Sequence, residues 1–176
     1  MIKKISILPF IIFLFILIIF FFLLTKNRDP SSLPSALISK KVPSFTTESV
    51  IKSEKFISDN EFTNEIILVN FFATWCKPCK DEHPYIKNLA LNKKIKVIGI
   101  NYKDDKNKTL KWLKELGNPY SSIAIDNDGR IAIDWGVYGI PETFIVDSKS
   151  IIQYRHVGPI TKNAYKKISK IIDDTK

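Results

Sequence analysis

The chain has 176 residues, 27 of them Lys or Arg against 18 Asp or Glu, for a formal net charge of +9. That length suits one domain with accessories. The basic excess does not describe a nucleic-acid binder, because the lysines scatter along helices and turns, as in KKISKIIDDTK, and form no stripe interleaved with aromatics.

Residues 5–24, ISILPFIIFLFILIIFFFLL, carry no charge. A helix of that length spans about 30 Å, the thickness of the hydrocarbon layer. A cleaved signal has a shorter apolar region and a small-x-small site, which the following TKNRDP lacks, so the expectation is an uncleaved membrane anchor. Residues 1–4 are then a cytoplasmic N-terminus. Lys3 and Lys4 before the span nearly balance Lys26 and Arg28 after it, with Asp29 as a partial offset, so charge orients the helix only weakly. The Pro- and Ser-rich NRDPSSLPSALISKKVPSF reads as a tether, placed at 25–42, ahead of a domain at 43–176.

From there the pattern becomes α/β. EIILVNFF (65–72) is a continuous apolar run, expected as a central strand covered on both faces. It feeds into TWCKPCKDEHPYIKNLAL, a helix that Pro84 should kink. KIKVIGINY (94–102) is a second buried strand. KNKTLKWLKEL (106–116) sets Leu110, Leu113 and Leu116 on one face and stops at Gly117. SIAIDNDG leads into a short helix at 130–135, ETFIVDSKSIIQYRHVG gives two strands about a tight turn, and NAYKKISKIIDD closes as an amphipathic helix. Trp112 and Trp135 fall on helical apolar faces and belong to the core. The order predicts an α/β class and a thioredoxin-like fold, a central mixed sheet flanked by helices with an N-terminal transmembrane helix.

The chain's only cysteines, Cys76 and Cys79, lie in FFATWCKPCKDEHP (71–84). A zinc site needs about four ligands, and only His83 and His156 could add to the two thiols. A structural staple across two intervening residues gains little unfolded-state entropy. A redox pair fits better. Cys-x-x-Cys between a strand and a helix sets the first sulfur at the positive end of the helix dipole, favouring a solvent-reachable thiolate. The second sulfur, one turn on, is close enough to attack a mixed disulfide. No spacing gives His83 or His156 a task, and both are expected to be neither ligands nor bases.

ATWCKPCKDEHP resembles the active-site segment of membrane-anchored thioredoxin-like proteins. RDPSSLPSALISKKVPSF and GVYGIPETFIVDSKSIIQYRHVGPIT (136–161) resemble two further stretches of the DsbE/CcmG family, the thiol:disulfide interchange proteins of cytochrome c maturation. The likeness covers nearly the whole chain. It implies that Cys76 is the nucleophile and Cys79 the resolving thiol, with a redox-active Cys76–Cys79 disulfide and neither cofactor nor metal. Pro141 falls where such proteins keep a cis-proline facing the disulfide, leaving the Ile140 backbone to pair with a substrate strand. Six residues before Cys76, where general thioredoxins keep a buried acid, stands Asn70. Glu82 and Glu142 are therefore candidate proton acceptors or pKa tuners, and an acidic or shaped groove near them could supply narrow partner choice; the alternative is two solvated surface glutamates. Trp75 either caps the sulfurs, the preferred reading, or joins the core.

The function implied is that of a single-pass protein of the bacterial inner membrane with its catalytic domain in the periplasm. It would reduce the CxxCH segment of apocytochrome c, or a maturation partner, and be recharged by a membrane-embedded reductant. Two alternatives stand beside it. A copper-carrying chaperone on a related fold would show itself in a metal titration of the reduced chain. An anchored reductase with another client would be separated by client trapping.

Overall fold

The computed structural model describes residues 7–25, 36–51, 55–62 and 64–175. The N-terminal residues 1–4, the first two anchor residues, and tether residues 26–35 with Lys26, Arg28 and Asp29 lie outside the described residues. The chain divides into two compact units, residues 1–30 and 31–176.

In the first unit, α1 (Leu8–Thr25) is 18 residues long with no buried side chain. At 1.5 Å per residue it reaches about 27 Å. It is long and apolar enough to cross a membrane and is a candidate span.

The second unit runs β1 (Thr46–Glu48), β2 (Phe56–Ser58), β3 (Ile67–Phe72), α2 (Lys77–Lys93), β4 (Lys96–Tyr102), α3 (Lys106–Leu116), β5 (Ser122–Asp126), α4 (Arg130–Asp134), β6 (Glu142–Val146), β7 (Ile152–Val157) and α5 (Lys162–Thr175). The main sheet has the order β5-β4-β3-β6-β7. β3 lies parallel to β4 and antiparallel to β6. This is the expected thioredoxin-like mixed sheet. Every residue of β3 is buried, Asn70 included, as a central strand covered on both faces requires.

Strand alternation divides the core. Leu68 and Phe72 face the cluster built with Ile86 and Leu89 of α2, Trp112 and Leu113 of α3, and Ile168 and Ile172 of α5. Ile67, Val69 and Phe71 face the other side, with Ile131 and Ala132 of α4 and with Trp135. Trp135 is fully buried, its ring 5.1 Å from Phe144 and 5.6 Å from Phe71. Trp112 stacks on Phe72 at 5.6 Å. Both tryptophans are core residues, as expected.

Two details differ from the sequence reading. The small antiparallel β1–β2 sheet was not foreseen, since three-residue strands are too short to carry a period. The segment after β1 continues against β5, through the Val50 N–H to Ile123 carbonyl bond at 2.9 Å, and covers an edge that would otherwise stand open. On α3 the buried side chains are Thr109, Trp112 and Leu113, while Leu110 is exposed. The inward arc is set by the Trp112 stack and by the Thr109 hydroxyl, which donates to Asn101 Oδ1 at 3.0 Å. As the sequence reading placed it, α2 runs on through Pro84 to Lys93, with His83, Ile86 and Leu89 buried around the proline.

Gly99 shows how closely this core is fitted around the site. On β4 it lies beside Asn70 of β3 in register. A Cβ there would come within 2.8 Å of Phe72 Cε1 and 3.0 Å of Tyr120 Cδ1. These two rings stack at 4.7 Å and 12°. Gly99→Ala is expected to cost about 1–3 kcal/mol through overpacking. The cost would be read as a lower urea midpoint; an unchanged midpoint would show that the rings yield freely.

Candidate active site

β3 ends at Phe72, and the chain turns through Ala73–Trp75 into α2. Cys76 is the N-cap, with its sulfur accepting the Cys79 N–H at 3.2 Å. The two sulfurs form a disulfide. The strand-to-helix placement read from the sequence is thus realised, and the helix N-terminus favours negative charge on Cys76. The exposure is smaller than expected. Cys76 is 5% exposed and Cys79 2%. The segment before β6 packs close, and Cys76 Sγ lies 3.8 Å from the Ile140 carbonyl oxygen. The Ile140–Pro141 peptide is cis, so Pro141 takes up the place and form expected of it.

The turn is fastened to the loop after β4. The Thr74 hydroxyl donates to Asp104 Oδ1 at 2.9 Å, and the Trp75 indole N–H donates to the Lys103 carbonyl at 3.1 Å. Trp75 is 59% exposed, which rules out the core reading. Its bonds run to the β4–α3 loop, beside the disulfide. Asp104 carried no motif and could not be picked out from the sequence.

Neither candidate glutamate is a solvated surface group. Glu82 is 1% exposed and Glu142 not at all, so neither lines an acidic surface groove. The structure places them on opposite faces of the sheet. Glu82 projects from α2 one turn after Cys79. Its Oε1 accepts from Asn70 Nδ2 at 2.8 Å and its Oε2 from the Ile160 N–H at 2.8 Å. Burial pushes this carboxyl up to about 7, against the opposing pull of those two bonds. Asn70, in the place of the missing acid, therefore holds an acid arriving from the helix.

Two further groups complete this cluster. The buried Tyr120 hydroxyl donates to Asn70 Oδ1 at 2.9 Å, and Asn70 Nδ2 also reaches Thr143 Oγ1 at 3.2 Å. Tyr120 was not marked by any motif. Burial, and then the Glu82 charge, hold its hydroxyl well above the usual phenol range.

Glu142 alternates with Thr143 on β6 and points to the other face. Its Oε2 meets Arg155 Nε at 2.7 Å and its Oε1 accepts the Tyr138 N–H at 2.8 Å. Arg155 also donates to the Gly136 carbonyl at 2.8 Å and lies over the Tyr138 ring. Glu142 thus braces the 136–141 loop that carries Pro141. The sequence offered no sign that its charge is met by an arginine from β7.

Each histidine ring lies against a backbone carbonyl. His83 Nε2 lies 2.8 Å from the Gly117 carbonyl, its ring is 4.4 Å from Trp112, and burial lowers its pKa. His156 lies against the Pro159 carbonyl at 3.3 Å.

Similarity to known proteins agrees with this site. The Redoxin family model matches residues 38–172. The thiol:disulfide interchange protein DsbE of Escherichia coli K12 is 43% identical over 167 residues, covering 93% of this chain and 90% of that one. The thiol:disulfide interchange protein CycY of Rhizobium leguminosarum is 41% identical over 140 residues, covering 80% and 75%. Among solved structures, a DsbF homologue from Corynebacterium diphtheriae superposes with a TM-score of 0.67 at 21% identity, covering 84% of this chain and 97% of that one, a likeness of fold. With its paired cysteines at the head of a helix in a thioredoxin-like fold, the chain belongs to the Redoxin family, among the DsbE/CycY thiol:disulfide interchange proteins.

Proposed function

We propose that this protein is a periplasmic thiol:disulfide reductase, held in the bacterial inner membrane by an uncleaved α1. It reduces the CxxCH disulfide of apocytochrome c, or that of a partner in cytochrome c maturation. The observation that carries the mechanism is the Cys76–Cys79 pair at the N-terminus of α2 with a buried carboxyl, Glu82, one turn further on. The kinship with DsbE and CycY supports the pathway, and α1 supports the anchoring.

In the dithiol form, the Cys76 thiolate attacks one sulfur of the client disulfide. A mixed disulfide forms, and the other client sulfur leaves as a thiolate. Cys79 passes its proton to Glu82 and attacks Cys76 Sγ, releasing the second client sulfur. Two electrons have moved to the client, and the Cys76–Cys79 disulfide of the structure is restored. A membrane-embedded dithiol reductant recharges the pair. Glu82 suits the proton step because a base with a pKa near ambient pH both accepts and returns a proton readily. The Ile140 backbone, beside Cys76, is the edge against which a client strand pairs. Trp75 stands exposed next to Cys76 in the chain, and Glu142 acts by fixing the Pro141 loop.

The full chain with Cys79→Ala, expressed in cells making c-type cytochromes, tests this. It should hold apocytochrome c or a maturation partner in a mixed disulfide on Cys76, and the complex should stay in the membrane fraction through an alkaline carbonate wash. Capture of clients outside that pathway, or release by the wash, would overturn the corresponding part of the proposal.

A further inference from the structure

Asn70 stands at the centre of a closed polar cluster whose members are unequal in one respect. The Glu82 carboxylate accepts only, whereas the Tyr120 and Thr143 hydroxyls each donate or accept. In the structure the amide nitrogen of Asn70 faces Glu82 Oε1 and Thr143 Oγ1, and its oxygen faces the Tyr120 hydroxyl. That orientation serves a charged carboxylate. Once Glu82 takes a proton on Oε1, the same orientation sets two donors against each other. The Ile160 N–H already occupies Oε2, so the new O–H has no acceptor there.

We propose that the Asn70 amide is a two-position relay that turns over when Glu82 is protonated, which makes Asn70 a positioning residue for the proton step. After the turn, Asn70 Oδ1 accepts from the Glu82 hydroxyl and from the Thr143 hydroxyl, and Nδ2 donates to the Tyr120 oxygen. Three hydrogen bonds are exchanged for three: Nδ2 and Oδ1 of Asn70 change places, and the heavy atoms of its partners keep theirs. The stacked Phe72 and the close fit over Gly99 hold the Tyr120 ring while its hydroxyl proton reorients. An aspartate at position 70 could not do this, since a carboxylate has no donor to present to a charged Glu82. The relay explains why an amide stands here: it presents a donor to the charged acid and an acceptor to the protonated one.

The other groups around Glu82 do not compete for this role. On α2, Cys79 is tied in the disulfide, and the His83 ring is turned to Gly117 and Trp112, its pKa lowered by burial. Tyr120 stays protonated across the neutral range. From β6 the neighbour is Thr143, and from the segment before α5 only the Ile160 N–H reaches the carboxyl. Glu142 and Arg155 are paired on the far face of the sheet.

This inference rests on the reading of Glu82 as the proton acceptor, and the test separates the two. The full oxidised chain in detergent micelles is labelled with 15N-Asn, 13C-Glu and methyl-13C Thr, and followed by NMR between pH 5 and 9. The Glu82 carboxyl carbon should titrate near neutrality. Over the same range the Asn70 side-chain amide protons should lose their NOE to the Thr143 methyl and gain one to the Tyr120 ring as the pH falls. A titrating Glu82 with one unchanged NOE pattern overturns the relay alone. A Glu82 carbon that does not titrate in that window overturns the relay together with the proton-acceptor reading.

Discussion

Replacing Glu142 by alanine is expected to cost the fold about 3–5 kcal/mol, because it leaves the Arg155 guanidinium buried without its counter-ion. The pair is nearly sealed, with side-chain exposures of 3% for Arg155 and 0% for Glu142 at an N–O distance of 2.7 Å. The Tyr138 N–H loses its acceptor at the same time. The double replacement Glu142→Leu with Arg155→Met should recover most of the loss, since removing both charges also removes the penalty of burying one alone. Urea unfolding of the wild type and the two variants measures this. A single-variant cost below about 1 kcal/mol would mean that Arg155 reaches solvent, and the bracing of the Pro141 loop would fall with it.

Glu82→Gln should change how stability depends on pH. The folded chain raises this carboxyl from 4.5 to about 7, so it holds the proton more tightly than the unfolded chain does. Unlike a salt-bridged acid, this group contributes most below about pH 4.5, and the contribution is lost as the pH rises to about 7. The total is about 3 kcal/mol. Urea unfolding of the wild-type oxidised chain at pH 4.5, 6 and 8 should show that decline, and the Gln variant should lack it. The same substitution removes the acceptor for the Cys79 proton. The resolving step should slow by roughly 10²-fold, the lower end of what a positioned base supplies. Equal resolution rates in the two proteins would send the proton to water and leave Glu82 without a chemical role.

Much of this was readable in advance, for identifiable reasons. β3 and β4 showed as strands through their dense apolar content, because both faces of a central strand are covered. The cysteine pair was legible because a short motif between strand and helix fixes its own geometry. Pro141 stood out through its setting in GVYGIPETF. What stayed hidden was pairing across distance. Arg155 lies 13 residues from Glu142, and Tyr120 lies 50 from Asn70. No local pattern joins either pair. The same limit explains why two glutamates that seemed equivalent in the sequence proved to be on opposite faces. Glu82 takes its face from the side of the sheet on which α2 packs, and Glu142 from the alternation along β6 in its register with β3. On α3, three leucines suggested a face that tertiary contacts through Trp112 and Thr109 shifted.

The division of labour between the two sulfurs is the centre of the account, and competitive alkylation tests it most directly. The full chain, reduced in detergent, is treated with limiting iodoacetamide at neutral pH and the labelled peptides are counted by mass spectrometry. Cys76, at the helix N-terminus, should be modified first and by a wide margin, with Cys79 reacting only when the reagent is in excess. Preferential modification of Cys79 would reverse the assigned roles and contradict the mechanism.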